Sequence, residues 1–406
     1  MRTQGLAVLA LLLALLPAVS VAQDADISSL TGAAESGDTA AQITLAQRYH
    51  DGDGVVQNFA RAADWFARAA EAGVAEAQNR LGRYYHSGLG VQADRAAALR
   101  WLGAAADQGA PQHLYDLAGV LEEARDDPQT LTRAAGLYER AAGAGHTGAA
   151  VSLGVMYQNG TGVAQDPDRA RALYEPAAAA GDARALNNLG LLYVRGSGVP
   201  QDYTRAAQLF AAAAEQGLAQ AITNLGVMYD NGYGVPQDDA EAARLYRLGS
   251  AGAPVAETGF AYDPRLAPPP SEPAARDALR AAARAGDPVA EFQLGWLLVQ
   301  GTEPTPEDWQ QAAALFGRAA AKGHAASMAG LGLLYMRGRG VPQDYVLAQM
   351  WLVLAGSAGL DSAPALSAAL QARMTSGQIN EAQALAEARW AQAVPGAPAS
   401  APTPSP

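Results

Sequence analysis

A glycine recurs at a nearly constant interval along this chain, and its period constrains the fold more than any other feature of the sequence. The intervals are 36, 36, 36, 36, 36, 35, 34, 37 and 36 residues, between Gly37, Gly73, Gly109, Gly145, Gly181, Gly217, Gly252, Gly286, Gly323 and Gly359. A sequence that resembles itself at such a period builds stacked units, each of which contacts its neighbours. We therefore predict nine units over residues 37–359.

Each unit contains two helical segments separated by a turn. In the unit that ends at Gly217, the first segment closes with Leu189, Gly190 and Tyr193, and the second covers about residues 203–216. The intervening Gly-Ser-Gly-Val-Pro combines glycines, which tolerate positive φ, with a proline, which cannot continue a helix. The repeating unit is therefore predicted to be helix-turn-helix, and the fold all-α.

Two recurrent residues have a structural interpretation. A glycine inside the first helix costs about 1 kcal/mol relative to alanine, so its recurrence after the leucine indicates that the facing helix approaches too closely for a side chain. A polar residue precedes each second helix, and we interpret these residues as N-caps. They are Asn58, Asp94, Asp166, Asp202, Asp238 and Asp344.

The combined pattern, Leu-Gly-x-x-Tyr-x-x-Gly-x-Gly-Val-x-x-Asp followed by an Ala-rich second helix and Gly, resembles the Sel-1-like repeat, a longer relative of the tetratricopeptide repeat. The fold predicted on this basis is all-α, a right-handed α-solenoid of about nine repeats with capping helices. The resemblance implies a non-catalytic scaffold, since related proteins include adaptors of membrane-associated complexes and exported regulators of sensor kinases.

The predicted organisation has seven parts. They are a signal peptide (1–22), an N-terminal cap helix (23–36), repeats one to six (37–252), a degenerate repeat or proline-rich hinge (253–286), the last two repeats (287–359), C-terminal capping helices (360–394) and a disordered Pro/Ala tail (395–406). The seventh unit stays open between two interpretations, because a second helix is predicted from Ser271 to Arg284 while prolines fill the junction before it.

The N-terminus and the charge limit the location and the partners. An apolar run from Leu6 to Leu16, followed by Ser20-Val21-Ala22, is typical of a secretory signal cleaved after Ala22. The mature protein is therefore expected in the periplasm or secreted, without stable membrane insertion. The net charge of -12 argues against nucleic acid as a partner.

No catalytic motif, metal site or cofactor site is evident. The chain has no cysteine, which excludes thiolate chemistry, and its histidines are spread over several units. His50 and His86 share one repeat position, and a metal site between them is a weaker interpretation than solvated loop residues. Lys322 is the one lysine and is better explained as an exposed helix end than as a Schiff-base residue.

Specificity is expected where the units differ on the face formed by the first helices. The position before the leucine is mostly polar; its residues are Thr44, Arg80, Asp116, Ser152, Asn188, Asn224, Gln293 and Gly330. Asn188 and Asn224, with Asn187 adjacent, are candidates to hydrogen-bond the backbone of a bound peptide, and Arg80 and Arg83 form a candidate basic spot. Solvated positions without a partner are the competing interpretation.

We therefore predict a non-catalytic protein-interaction scaffold or adaptor in the periplasm, which regulates a membrane signalling or envelope complex. The alternative is a cell-wall-related enzyme or glycan binder with β-lactamase-like activity, as in a cysteine-rich branch of the same repeat class. The absence of cysteine disfavours that alternative.

Overall fold

The computed structural model describes residues 27–124, 127–250, 260, 262–301 and 303–393. The predicted signal peptide, the start of the N-terminal cap, most of the junction before Phe260 and the C-terminal tail lie outside these residues. Within the described part, every regular element is an α-helix, and no helix is long and apolar enough to cross a membrane.

The helices follow one another in chain order, mostly with short connections. They are α1 (27–35), α2 (Thr39–Asp51), α3 (Phe59–Glu71), α4 (Ala75–Ser87), α5 (Arg95–Asp107), α6 (Pro111–Glu122), α7 (Pro128–Gly143), α8 (Thr147–Asn159), α9 (Pro167–Ala179), α10 (Ala183–Arg195), α11 (Tyr203–Glu215), α12 (Ala219–Asn231), α13 (Asp239–Ser250), α14 (Pro273–Arg284), α15 (Pro288–Val299), α16 (Pro306–Ala321), α17 (Ala325–Arg337), α18 (Tyr345–Ser357), α19 (Ala363–Gln371) and α20 (Ser376–Ala393).

These helices form two compact units. The first unit comprises Met1–Ala77, Ser87–Asp94 and Thr258–Pro406, and the second comprises Gln78–His86 and Arg95–Glu257. In the second unit, consecutive helices from α5 to α13 pack against each other, both within a repeat and from one repeat to the next. This nearest-neighbour packing is that of an all-α solenoid, as the period predicts.

The glycine in the first helix marks a close helix-helix contact, as predicted. A Cβ atom on Gly190 would lie 2.7 Å from Cε1 of Phe210 on the second helix of the same repeat. On Gly154 it would lie 2.4 Å from Cε1 of Tyr174. Both aromatic side chains are almost fully buried, so neither has room to move away from an added methyl group.

The glycine-rich turn also brings neighbouring repeats together. Gly196 and Gly198 have φ of 65° and 69°, as the turn prediction requires. In addition, a Cβ on Gly198 would lie 2.8 Å from the carbonyl carbon of Pro167, at the start of the preceding second helix. The second glycine therefore has two functions, a left-handed turn and a contact between repeats.

The predicted N-caps are confirmed wherever the structure shows their bonds. The Asp202 carboxylate accepts a hydrogen bond from the Arg205 backbone N–H at 2.9 Å, and equivalent caps are formed by Asn58, Asp166, Asp238 and Asp344. Two first helices, α8 and α17, have histidines as N-caps, which the sequence pattern does not predict. Nδ1 of His146 accepts from Ala149 at 3.0 Å, and Nδ1 of His324 accepts from Ser327 at 3.2 Å.

The C-terminal helix α20 binds both ends of the first unit. It packs against α18 of the last repeat and contacts α3 of the first. The Asn380 amide bonds to both Gly90 N and Gly88 O, and Gln383 accepts from Phe59 N at 2.8 Å. Glu387 accepts from Asn58 and forms an ion pair with Arg61. This helix is therefore more than an end cap, because its polar side chains form hydrogen bonds and an ion pair with the N-terminal repeats.

The structure describes part of the seventh unit, namely residues 260 and 262–272 and the helix α14. Helix α14 begins at Pro273, two residues after the predicted start, and residues 262–272 form no helix. Whether residues 253–286 are best described as a degenerate repeat or as a hinge stays a prediction.

The contact at Gly190 predicts a loss of stability on Gly190→Ala, despite the better helix propensity of alanine. Overpacking costs about 1–3 kcal/mol and propensity returns about 1 kcal/mol, so the variant should unfold at a lower urea concentration. Gly136→Ala is the matched control, because Gly136 lies inside α7 and a Cβ added there would have nothing within 4 Å. Urea unfolding followed by circular dichroism checks both variants, and equal shifts in the two would contradict the close-contact explanation.

Candidate peptide-binding face

Three residues of each first helix lie on one face at spacings of three and four, beginning with the residue before the recurrent leucine. On α12 these residues are Asn224, Val227 and Asn231. On α15 they are Gln293, Trp296 and Gln300, each 69 residues later in the same register. We call each such triplet a stripe. Both stripes have an apolar side chain between two side-chain amides.

The α15 stripe binds main-chain carbonyls of the protein's own chain. Nε2 of Gln293 donates to the carbonyl oxygen of Ala267 at 2.9 Å and to the Tyr262 hydroxyl at 2.7 Å. The Trp296 indole N–H and Nε2 of Gln300 donate to the carbonyl oxygen of Phe260, at 3.2 and 3.1 Å. All three residues of the stripe therefore hold a non-helical segment by its backbone.

The α12 stripe is much more open. Asn224 is half-buried, Asn231 is exposed, and Val227 is 39% exposed, which is unusual for an aliphatic residue of this protein. The Asn231 amide bonds to the carbonyl oxygen of Val227 within its own helix. The α12 stripe thus offers the same kinds of groups as the α15 stripe on an accessible surface.

The three candidate asparagines are joined in a ladder between α10 and α12. Asn224 donates to Oδ1 of Asn187 at 2.8 Å, and Asn187 donates to Oδ1 of Asn188 at 3.3 Å. Asn187 is 2% exposed, so it orients its neighbours and presents no surface of its own. Asn188 and Asn224 are half-buried, and their role in binding a partner stays a prediction.

Tyrosines of the second helices support this face from beneath. Tyr138 donates to Glu122 at 2.8 Å and Tyr174 donates to Gln158 at 3.0 Å, in each case across 16 residues. Burial raises the pKa of Tyr174, and a hydrogen bond with Asn188 opposes that shift. The tyrosines are therefore neutral hydrogen-bonding residues that fix the first helices in place.

The predicted basic spot is less open than its sequence suggests. Arg80 and Arg83 lie on α4, at the first two positions of its stripe. Arg80 is half-buried and Arg83 is exposed, and each already interacts with another group of the protein. The two arginines share a face as predicted, and their contact with a partner stays a prediction.

Other polar groups have structural partners. Nζ of Lys322 lies 2.9 Å from Glu291 and 2.7 Å from the Gly286 carbonyl oxygen, and Arg318 forms a second ion pair with Glu291. Burial opposes ionisation of Glu291, but these two cations outweigh it and lower its pKa. His86 contacts Glu123 at 3.2 Å, and among the described residues no group of three His, Cys, Asp or Glu side chains is placed to hold a metal.

A cleft between α7, α8 and α9 is mainly apolar. Its volume is about 540 Å³, and its polar lining includes Arg169 and Glu139. The Arg169 guanidinium donates to the Tyr157 hydroxyl at 2.5 Å and lies over the Tyr157 ring. This cation is therefore already engaged by Tyr157.

A family model for the Sel1 repeat matches residues 39–74, 75–109, 115–146, 148–182, 183–218, 219–252, 288–324 and 325–360. The chain belongs to the Sel1 repeat family. Proteins of this family generally act as scaffolds for protein-protein interactions, and no catalytic family is indicated. The eight matches leave residues 253–287 unmatched, where the sequence pattern is broken.

Two solved structures illustrate what this chain is similar to. A Sel1 repeat protein from Oxalobacter formigenes is 29% identical, with a TM-score of 0.50 over 53% of this chain and 87% of that chain. A protective antigen of uropathogenic Escherichia coli that displays an SLR fold is 28% identical, with a TM-score of 0.48 over 93% of this chain and 91% of that chain. A comparison with curated proteins gave no match.

The second histidine cap lies beside the segment that the α15 stripe holds. The His324 ring centroid is 4.8 Å from that of Phe292, a neighbour of Gln293 on α15. Burial lowers the pKa of His324; Asp263 and Asp287 oppose this shift, and Arg265 adds to it. The ring is therefore neutral in the folded protein, as its role as an acceptor at Nδ1 requires.

Acid should destabilise the protein through His324. Below a pH of about 6.5 the histidine of the unfolded chain takes up a proton while the folded ring stays neutral, so the free energy of unfolding falls as the pH falls. This loss continues down to the lowered folded-state pKa and then stops. His324→Asn keeps an acceptor at the cap but removes the titration, so its urea midpoint should decrease less between about pH 7.5 and about pH 5.5. An equal decrease in both proteins would contradict this role of His324.

Proposed function

We propose that this protein is a non-catalytic adaptor of the periplasm that binds non-helical segments of partner proteins along its first helices. One observation carries the proposal: the α15 stripe holds two main-chain carbonyls through Gln293, Trp296 and Gln300. The α12 stripe has the same sequence of amide, apolar side chain and amide, and is accessible. Regulation of a membrane signalling or envelope complex is the role that this location and this binding mode would serve.

The mode of binding follows from the chemistry of the stripe. Side-chain amides donate to backbone carbonyls regardless of the partner's side chains, so they fix its path, while the apolar residue between them contributes contact area. A net hydrogen bond contributes about 1 kcal/mol, so several adjacent stripes are needed for useful affinity. The second unit contains several adjacent stripes, which could bind one partner segment together. Their positions include the predicted residues Asn188, Asn224, Arg80 and Arg83.

Photo-crosslinking in the native cell tests the α12 stripe. A photoreactive residue at Val227 should give a discrete covalent adduct with a partner protein, whereas one at Gln208, exposed on the second helix α11, should not. In the protein that carries the photoreactive residue at position 227, Asn231→Ala should lower the yield of the adduct about fivefold, which corresponds to one lost hydrogen bond. Asn231 suits this test because its amide bonds only its own helix in the described structure. Equal labelling at both positions, or none at Val227, would contradict the proposal.

Export is tested separately. The mature protein should begin at Gln23 and fractionate with periplasmic proteins, whereas Ala22→Arg should block cleavage, because signal cleavage requires a small residue there. Mass spectrometry of the N-terminus measures both. A chain that retains Met1 in the cytoplasmic fraction would contradict the location.

Catalysis is tested with the purified mature protein. We expect no hydrolysis of the β-lactam nitrocefin above that of a mock purification. Turnover that exceeds the mock value would replace the adaptor with the wall-related enzyme considered from the sequence.

A further inference from the structure

Part of the seventh repeat lies on α15 and α16 as a bound ligand would. We call the described residues 260 and 262–267 the strap. It forms no helix and makes one turn, in which the Leu266 backbone N–H donates to the Asp263 carbonyl oxygen at 3.0 Å. The strap belongs to the same compact unit as α15, α16 and α17.

Two aromatic side chains anchor the strap. Phe260 is 7% exposed, and its ring centroid lies 5.8 Å from that of Trp309 and 6.2 Å from that of Phe316. The Arg337 guanidinium lies 5.4 Å from the centre of the Phe260 ring. Tyr262 packs edge-on against Trp296, with ring centroids 5.0 Å apart. Phe260 therefore fills an aromatic pocket, and Tyr262 covers the apolar centre of the α15 stripe.

The polar contacts of the strap are mostly made to its backbone. The Phe260 carbonyl oxygen accepts two hydrogen bonds from α15, and the Ala267 carbonyl oxygen accepts one. These backbone contacts depend on the path of the chain, so another segment with the same path could make them, while the aromatic anchors add a requirement on sequence.

The one acidic side chain of the strap is paired with an arginine of the strap itself. Asp263 is 3% exposed, and its carboxylate accepts from Nε of Arg265 at 2.9 Å and from Nη2 at 2.8 Å. These hydrogen bonds lower the pKa of Asp263. A replacement segment that carries an acid at this position would therefore need the arginine two residues later as well, because a buried carboxylate without its partner is costly.

After its two aromatic anchors, the strap is partly open to solvent. Pro264, Arg265 and Ala267 are exposed, and Arg265 reaches the Gly359 carbonyl oxygen at 3.2 Å from the surface. The helices that bind the strap also pack on one another, α15 on α16 and α16 on α17. The strap can therefore leave its site without unfolding the helices that bind it.

We propose that the strap is an intramolecular stand-in for a partner, and that it occupies a second peptide site on α15 and α16. The partner that displaces it is a protein segment of the form aromatic, any residue, aromatic, Asp, any residue, Arg, which matches Phe260 to Arg265. Such a site is closed until a partner with this motif competes for it, which makes binding selective. The inference rests on the proposed function only in that first helices are taken to bind peptides.

Exchange of the strap can be measured in the complete mature protein. A labelled peptide with the sequence of residues 258–268 should bind Phe260→Ser/Tyr262→Ser at least about tenfold more tightly than it binds the unsubstituted protein, because an occupied site lowers apparent affinity. Adding Gln293→Ala and Gln300→Ala to the opened variant should abolish that gain. A peptide with serine at both aromatic positions is the matched control. Equal affinity of the opened and unsubstituted proteins for the peptide would overturn the proposal.

A second measurement keeps both aromatic anchors of the strap in place. The chain has no cysteine, so Leu266→Cys carries a single environment-sensitive fluorophore on the strap. Excess unlabelled peptide should shift its emission in a saturable way, and the serine control peptide should not. An unchanged emission at saturating peptide would overturn the proposed exchange. A dimer detected by light scattering would also overturn it, because the strap would then bind a second copy of the protein and not give way to the peptide. A failure of the Val227 crosslink would leave this result unaffected, because it concerns a different stripe.

Discussion

The contact between the first-helix glycine and the bulky residue opposite it sets the dimensions of the repeat. Because Gly190 and Gly154 have no side chain, Phe210 and Tyr174 can lie directly against the backbone of the first helix. The same spacing lets the second turn glycine, such as Gly198, rest on the start of the preceding second helix. In a repeat built from these two contacts, a residue at a given register takes the same place relative to the helices of that repeat.

That regularity explains why much of the fold could be predicted from the sequence. Helix order, the turns and most second-helix caps depend on local chemistry that recurs at one period. The recurrent glycine at the end of each unit reveals that period in the sequence. The histidine caps were missed because histidine is not among the residues usually found there, although His146 and His324 occupy the place of Asp182 and Asp287 in other repeats. The contacts of α20 with the first repeats were also missed. Asn380 bonds to Gly90 and Gln383 bonds to Phe59, and only tertiary structure brings these residues together.

The candidate site was predictable in part for the same reason. Binding of a partner at the position before the leucine stays a prediction, and at Gln293 the amide donates to a backbone carbonyl of the protein's own chain. The sequence could not show that the bound segment would come from the chain itself, because that contact joins residues of a broken repeat. Nor could it show that Asn187 is buried in a ladder with Asn188 and Asn224. One signal was available: the amide, apolar and amide pattern at 224, 227 and 231 recurs at 293, 296 and 300.

The proposed role of the strap depends on backbone carbonyls that no helix of its own segment uses. In a regular repeat, the first helix satisfies its own backbone and leaves no carbonyl for a neighbouring stripe. In the seventh repeat, prolines prevent helix formation before α14, and the carbonyls of Phe260 and Ala267 need other donors. The amides of α15 supply them. The non-helical residues 260 and 262–267 therefore present carbonyl groups to the stripe of α15, and this is the contact that our proposal assigns to a partner segment.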